Sequence, residues 1–307
     1  MLILDRFFPA IAAGAILCAA ANPAAAQQHP AFDSAGIERI TGLKGSYSEK
    51  EKVFKVSKPR DDVKIQIDDR AMPPFMGLTS WAAFTPGHHG QSMMMGDTVL
   101  LEDEVNPAMS AAFDAGLQVT ALHNHFFFDR PRVYFMHIGG DGDTIRLAEG
   151  VKKVYDTVAE IRSAHPAPES TFPGHIAEPS TITAEPLDAI LGGKGQTRNG
   201  MYKMVVGMTT SMHGIKVGNE MGVNTWAAFA GSDDDAVVDG DFAMHENELQ
   251  TVLKRMRAAG INIVAIHQHM SGETPRILFL HYWGKGKAID LARAVKAALD
   301  AQAAVPR

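Results

Sequence analysis

Two matching pairs of segments decide the fold of this chain: ALHNH (121–125) with PRVYFMH (131–137), and AIHQH (265–269) with PRILFLH (275–281). Each segment lies 144 residues from its counterpart, and the match extends upstream, where TSWAAF (79–84) recurs as NTWAAF (224–229). Self-similarity at one fixed spacing is the signature of a duplicated structural unit. We therefore predict repeat 1 at 36–163 and repeat 2 at 187–304. The linker between them (164–186) holds five prolines, which disfavour a continuous helix or a central strand.

The hydrophobic pattern predicts the same elements in each repeat. VFKVS (53–57) and VKIQI (63–67) alternate like half-buried strands. A helix is predicted at 102–115, and its counterpart at 246–259 also ends at a glycine. A two-stranded hairpin follows, and a second helix, at 288–304 in repeat 2, closes the unit. This order predicts an α+β fold of two tandem homologous repeats, each a largely antiparallel sheet with two helices and its own core.

The N-terminal segment predicts export. Residues 7–20 form a short apolar run that is followed by the small residues Ala24–Ala26. This layout is typical of a secretory signal, so we expect a signal peptide at 1–26 and a periplasmic or secreted protein. The only cysteine, Cys18, follows Leu17 rather than a small residue, which argues against a lipoprotein. The chain after residue 26 has no cysteine, so any metal must be held by histidines and carboxylates.

Composition narrows the possible partners. The net charge is −6 and basic residues are not clustered, so nothing favours nucleic-acid binding. No segment of the mature chain is apolar enough to predict a transmembrane helix. A small-molecule ligand is the expected partner, and the sequence leaves the oligomeric state open.

Three histidines in each repeat are spaced like metal ligands. His123 and His125 project from one face of a strand, about 6–7 Å apart, which suits two imidazoles that converge on one ion. With a turn centred on Pro131, His137 is expected directly across from His125. The sequence predicts a divalent metal, zinc by default, at two trios: His123, His125 and His137 in repeat 1, and His267, His269 and His281 in repeat 2. The alternative is a set of buried structural histidines, bonded to one another or to carboxylates.

Acidic residues offer a fourth ligand or a general base. Glu102 and Glu104 are the first candidates, matched by Glu246 and Glu248. Asp97 and Asp241 rank next. The competing interpretation of the glutamates is structural, because acidic residues favour the first turn of a helix.

Two arginines are candidates for substrate binding. Arg132 and Arg276 follow the hairpin proline in both copies and either bind an anionic substrate or pair with Asp129 or Glu273. Repeat 1 is the first choice for an active site, because Phe126–Phe128 lie beside its histidines.

The tandem W-A-A-F, G-D, H-x-H and P-R-x-x-F-x-H segments behind an export signal resemble the LppY/LpqO family. That family is a domain of unknown function in exported proteins, so the resemblance implies a duplicated exported domain and no activity. Two functions therefore stay open for a three-histidine site in each repeat: a metal-dependent lyase or hydrolase acting on a small molecule, and a non-catalytic metal- or ligand-binding module. A metal-free interaction protein is a third.

Overall fold

The computed structural model describes residues 33–306, so the predicted signal peptide at 1–26 lies outside the described residues. Among the described residues, no helix has both the length and the apolar character needed to cross a membrane.

In the part of the chain that the structure describes, three α-helices belong to each repeat, one more than the sequence predicts. The extra helix precedes the first strand of the repeat. In repeat 1 it is capped by Asp33, whose carboxylate accepts from the Gly36 N–H at 2.7 Å, and it ends at Gly42, which adopts a φ of 71°. The helices are α1 (Ser34–Thr41), α2 (Glu102–Asp114), α3 (Thr144–Ala164), α4 (Ala184–Leu191), α5 (Leu249–Ala258) and α6 (Ala288–Ala303).

The strands follow the same order in both repeats. Those of repeat 1 are β1 (Gly45–Ser48), β2 (Val53–Pro59), β3 (Gln66–Ile67), β4 (Arg70–Ala71), β5 (Thr79–Pro86), β6 (Ser92–Leu101), β7 (Gln118–His123), β8 (Asp129–Arg130) and β9 (Val133–Gly142). Those of repeat 2 are β10 (Gln196–Arg198), β11 (Met201–Gly207), β12 (Thr210–Met212), β13 (Ile215–Val217), β14 (Asn224–Gly231), β15 (Ala236–His245), β16 (Asn262–His267), β17 (Glu273–Thr274) and β18 (Ile277–Gly286).

The two repeats share one sheet, which corrects the prediction of two separate sheets and cores. Twelve strands run in the order β1-β2-β5-β6-β9-β7-β16-β18-β15-β14-β11-β10, all antiparallel to their neighbours. The second half of this order mirrors the first. The repeats therefore meet edge to edge at β7 and β16, around the pair Leu122 and Ile266. Joining two open edges removes both as sites of uncontrolled pairing.

Two amide side chains reinforce the junction reciprocally. Asn106 of α2 donates to the carbonyl of Ile263 at 3.2 Å and accepts from its N–H at 2.8 Å. Gln250 of α5 makes the equivalent pair of bonds to Val119, at 2.7 and 3.1 Å. Each target lies at a bulge in its strand, where the regular ladder is interrupted.

The two faces of the sheet differ. The helices cover one face (the helix face), where Met136 and Ile138 join a buried apolar cluster that extends through both repeats. The opposite face (the open face) carries Phe135 and His137, by strand alternation. It is covered in part by two small three-stranded sheets, β4-β3-β8 in repeat 1 and β13-β12-β17 in repeat 2.

Candidate metal centre

An aspartate and a histidine from neighbouring strands stand side by side in each repeat. Asp97 of β6 pairs with His137 of β9, which pairs on its other side with Ala121 of β7. Asp241 pairs with His281 in the same way. Paired residues of a sheet share one face, so the aspartates and histidines project together from the open face.

The predicted hairpin register is wrong by four residues. His137 lies opposite Ala121, and Phe135 lies opposite His123. His125 is beyond the end of β7, and its ring folds back to stack on Phe135, with the centroids 3.4 Å apart. The chain between β7 and β9 is not a tight turn, because part of it forms β8 and pairs with β3. His269 and Phe279 repeat this stacking at 3.5 Å.

Repeat 2 brings three candidate ligands to one point. The Nε2 atoms of His267 and His269 are 3.2 Å apart, and Oδ2 of Asp241 is 3.1 Å from Nε2 of His269. Oδ1 of Asp241 lies 4.0 Å from Nε2 of His267. Ligands about 2.0–2.1 Å from a tetrahedral ion are separated by about 3.3 Å, so this spacing suits a shared cation. One ligand atom from each residue lies within 4.8 Å of the others.

The outer ring nitrogens hold two of these imidazoles in an orientation suited to metal binding. Nδ1 of His269 is 3.1 Å from the carbonyl oxygen of Gly222, and Nδ1 of His281 is 3.3 Å from that of Gly240. A carbonyl only accepts, so each Nδ1 carries the proton and leaves its Nε2 lone pair available. The ring of His281 stacks on His267 with centroids 4.5 Å apart, although His281 lies outside the compact group of three.

Burial sets the charge state of this cluster. Burial, together with the neighbouring His281 and His269, lowers the pKa of His267 to about 4, so its imidazole is neutral at neutral pH. Neutral imidazole is the form that binds a metal. Burial also raises the pKa of Asp241, against the opposing effect of the histidines. Oδ1 of Asp241 and Nδ1 of His267 are buried without a hydrogen-bond partner among residues 33–306. A cation would stabilise the carboxylate and give this oxygen a partner.

Repeat 1 has the same residues in a looser arrangement. The centroid of the His123 ring lies 5.2 Å from those of both His125 and His137. The ring of His123 is nearly parallel to that of His125, with an angle of 14° between their planes. Asp97 Oδ1 is buried without a partner in the described part of the chain. Burial raises the pKa of Asp97 and lowers that of His125. The compact group of three forms in repeat 2, not in the repeat that the flanking phenylalanines favour.

The glutamates proposed as catalytic groups do not join the histidines. Glu104 is fully buried and accepts two hydrogen bonds from Arg60, at 2.7 and 2.9 Å, and lies 2.7 Å from Nε of Arg162. It also accepts from the Leu101 N–H at 2.8 Å and so caps α2. These contacts occupy the Glu104 carboxylate and leave it no free position as a base beside the histidines. Glu102 is exposed at the start of α2.

The candidate substrate-binding arginines lie beside exposed glutamates, one in each repeat. Arg132 lies 4.0 Å from Glu102, and Arg276 lies 3.7 Å from Glu246. Their predicted partners, Asp129 and Glu273, instead accept from backbone N–H groups. The arginines therefore lie beside Glu102 and Glu246 rather than beside the predicted partners, and both arginines are exposed.

Asp97 and Asp241 are the acidic residues that sequence reasoning ranked too low. The signal was present, because MGD (95–97) and DGD (239–241) keep an aspartate at the same repeat position. What the sequence lacks is the pairing of β6 with β9, which places this aspartate beside the third histidine.

The chain belongs to the family described as Domain of Unknown Function (DUF1259), whose model matches residues 35–157 and 185–301. No curated protein matches the sequence. Among solved structures, the chain is similar to a trimeric bacterial microcompartment shell protein, PduB, with 12% sequence identity and a TM-score of 0.19. The match covers 84% of this chain and 89% of the PduB chain. The double-ringed trimeric shell protein MSM0271 from the RMM microcompartment is 11% identical over 70% of this chain and 84% of its own, with a TM-score of 0.19. EutL from Clostridium perfringens is 10% identical over 71% and 82%, with a TM-score of 0.20.

Proposed function

We propose that this member of the DUF1259 family is an exported metal-binding protein whose better-formed site lies in repeat 2. Asp241, His267 and His269 would supply the first three ligands. The observation that supports this most is the 3.2 Å approach of two imidazole Nε2 atoms beside a buried carboxylate. Two adjacent Nε2 lone pairs repel each other unless a proton or a cation lies between them. Zinc is the expected metal, because nitrogen and oxygen ligands at this spacing suit it.

His281 decides between the open functions. If it turns Nε2 toward the ion, four protein ligands close the site, which is typical of a structural or carrier site. If it stays stacked on His267, one position remains for a small molecule, and the metal would act there as a Lewis acid in lyase or hydrolase chemistry. The partial exposure of the side chains of His267 and His269, 28% and 31%, favours access by a ligand.

In repeat 1, we propose a second, weaker site at His123, His125 and His137 with Asp97. Its rings must rotate before they converge, since two of them are stacked. Arg132 and Arg276 remain candidates for an anionic ligand near the ends of β9 and β18. The family grouping with LppY/LpqO and the periplasmic or secreted location are part of this proposal.

The test is metal analysis of untagged protein by mass spectrometry, with matched double variants in the two repeats. We expect His267→Ala/His269→Ala to remove about one equivalent of metal under conditions that saturate the wild type. The matched variant His123→Ala/His125→Ala should remove less, and only at higher metal concentration. A wild-type protein that binds no stoichiometric metal would favour the metal-free interaction protein instead.

Cobalt substitution then separates the two modes of binding. A closed tetrahedral site gives intense visible absorption that His281→Ala weakens, whereas an open site gives a spectrum that responds to added small carboxylates. A spectrum that neither His281→Ala nor a carboxylate changes would exclude both assignments of His281.

A further inference from the structure

A second polar site lies on the helix face of repeat 1. A cavity of about 440 Å³ opens between β2 and α3. Thr98 lines it, and Thr98 follows Asp97 on β6, so the two side chains project from opposite faces of the sheet. The cavity is therefore separate from the histidines.

Three buried side chains around this cavity each have a polar atom without a hydrogen-bond partner in the described structure. The hydroxyls of Thr98 and Tyr155 and Nη1 of Arg162 make no hydrogen bond to any residue from 33 to 306. These side chains belong to residues that are only 1%, 4% and 7% exposed. Buried polar groups are nearly always hydrogen-bonded, so three unpaired groups beside one cavity indicate a missing partner.

Each of the unpaired groups can donate a hydrogen bond. Guanidinium and ammonium groups only donate, and Lys58 at the cavity wall spends one N–H on the carbonyl of Tyr155, at 3.3 Å. Three of the nearby acids are already engaged by arginines: Arg60 binds Asp62 and Glu104, and Arg162 binds Asp103. Asp61, which also lines the cavity, is exposed. The hydroxyls, the guanidinium nitrogen and the remaining N–H groups of Lys58 can therefore all donate to one guest.

The fold itself does not require this polar set, as repeat 2 demonstrates. The cationic and unpaired polar side chains of the wall correspond there to apolar ones, whereas Ser80 corresponds to Thr225. The pairs are Lys58 and Val206, Arg60 and Met208, Thr98 and Phe242, Tyr155 and Leu299, and Arg162 and Pro306. Phe242 is completely buried in the position of Thr98. The same framework thus packs with hydrocarbon in one copy and keeps a donor-rich cavity in the other.

We propose that this cavity binds a small oxyanion, a carboxylate or a phosphate, through Lys58, Thr98, Tyr155 and Arg162. Oxyanions accept several hydrogen bonds at once and pair most strongly with guanidinium and ammonium donors. The site is independent of the metal centre.

The experiment is calorimetric titration of chelator-treated protein with sodium phosphate and with sodium acetate, at constant ionic strength set by sodium chloride. We expect saturable binding of at least one anion. Lys58→Met and Thr98→Val should each weaken it at least about tenfold, because each removes a donor without adding bulk. Lys203→Met, which removes a lysine of β11 in repeat 2, and His267→Ala/His269→Ala should leave it unchanged.

Three results would overturn the proposal. One is the absence of saturable heat with both anions. Another is equal affinity in Lys58→Met, Thr98→Val and the wild type. The third is loss of binding in the histidine variant, which would move the anion to the metal centre. Circular dichroism of Lys58→Met checks that the fold is intact, and the chain already accepts valine at the equivalent Val206.

Discussion

The two repeats bury the same carboxylate and satisfy it with different side-chain donors. Glu104 and Glu248 occupy equivalent positions, and each accepts a backbone N–H, from Leu101 at 2.8 Å and from His245 at 2.9 Å. In repeat 1 the carboxylate is surrounded by the guanidinium groups of Arg60 and Arg162. In repeat 2 its side-chain partner is Gln302, at 2.8 Å.

The replacement reproduces the geometry from another part of the chain. Arg60, which follows β2, donates to Glu104 and to the carbonyl of Val99, at 2.7 Å each. Gln302, which comes from α6, donates to Glu248 and to the carbonyl of Ala243, at 2.8 and 2.9 Å. The framework therefore requires a donor at this point and not a particular residue. It follows that a charged donor is not required at this point.

The largest expected difference between the repeats comes from removing this carboxylate's charge. Glu104→Gln should lower the free energy of unfolding by about 3–5 kcal/mol, because Arg60 and Arg162 each lose one of the two carboxylates that they bind. Glu248→Gln should cost about 1 kcal/mol, since the new amide oxygen can still accept from the His245 N–H and from Gln302. Urea denaturation of the two variants measures both values.

The exposed Glu102→Gln variant is the control and should change stability by less than about 0.5 kcal/mol. Equal losses in Glu104→Gln and Glu248→Gln would mean that the arginines contribute nothing beyond the amide of Gln302. The contrast between the repeats would then be one of sequence only.

The sequence predicts those parts of the fold and site that depend on local pattern. Alternation places His123 and His267 on one face of their strands, and the 144-residue spacing reveals the duplication. Pairing between distant strands is not encoded in that pattern, because a period of two fixes the face and not the neighbour. The single twelve-stranded sheet, the pairing of Asp97 with His137 and the displaced His125 all depend on such pairing, so all three had to come from the structure.

The junction between the repeats gives the next largest effect. Asn106→Leu leaves the N–H and C=O of Ile263 unpaired in a buried setting and should cost about 2–3 kcal/mol. Gln250→Met does the same at Val119, but Gln250 is only partly buried, so water can replace part of what is lost and about 1–2 kcal/mol is expected.

Amide hydrogen exchange distinguishes the two halves of this clamp. The N–H of Ile263 should exchange faster in Asn106→Leu while that of Val119 keeps its protection, and Gln250→Met should show the reverse. Simultaneous loss of protection at both amides in either variant would show that the junction opens as one unit.

The smallest effect concerns two matched lysine–tryptophan pairs on the open face. Lys55 lies 4.2 Å from the centre of the Trp81 ring, and Lys203 lies 4.2 Å from that of Trp226. Lys55→Met should cost about 0.5 kcal/mol, as exposed pairs of this kind do. Lys203→Met should cost somewhat more, about 1 kcal/mol. Burial raises the pKa of Asp239, and the positive charge of Lys203 opposes this shift. Repeat 1 has Met95 in the position of Asp239, so Lys55 has no such carboxylate to stabilise. If the additional cost of Lys203→Met comes from Asp239, the two lysine variants will lose the same free energy of unfolding in an Asp239→Asn background. Urea denaturation measures both losses. A difference that persists in that background would assign it to the packing of Trp226 rather than to charge.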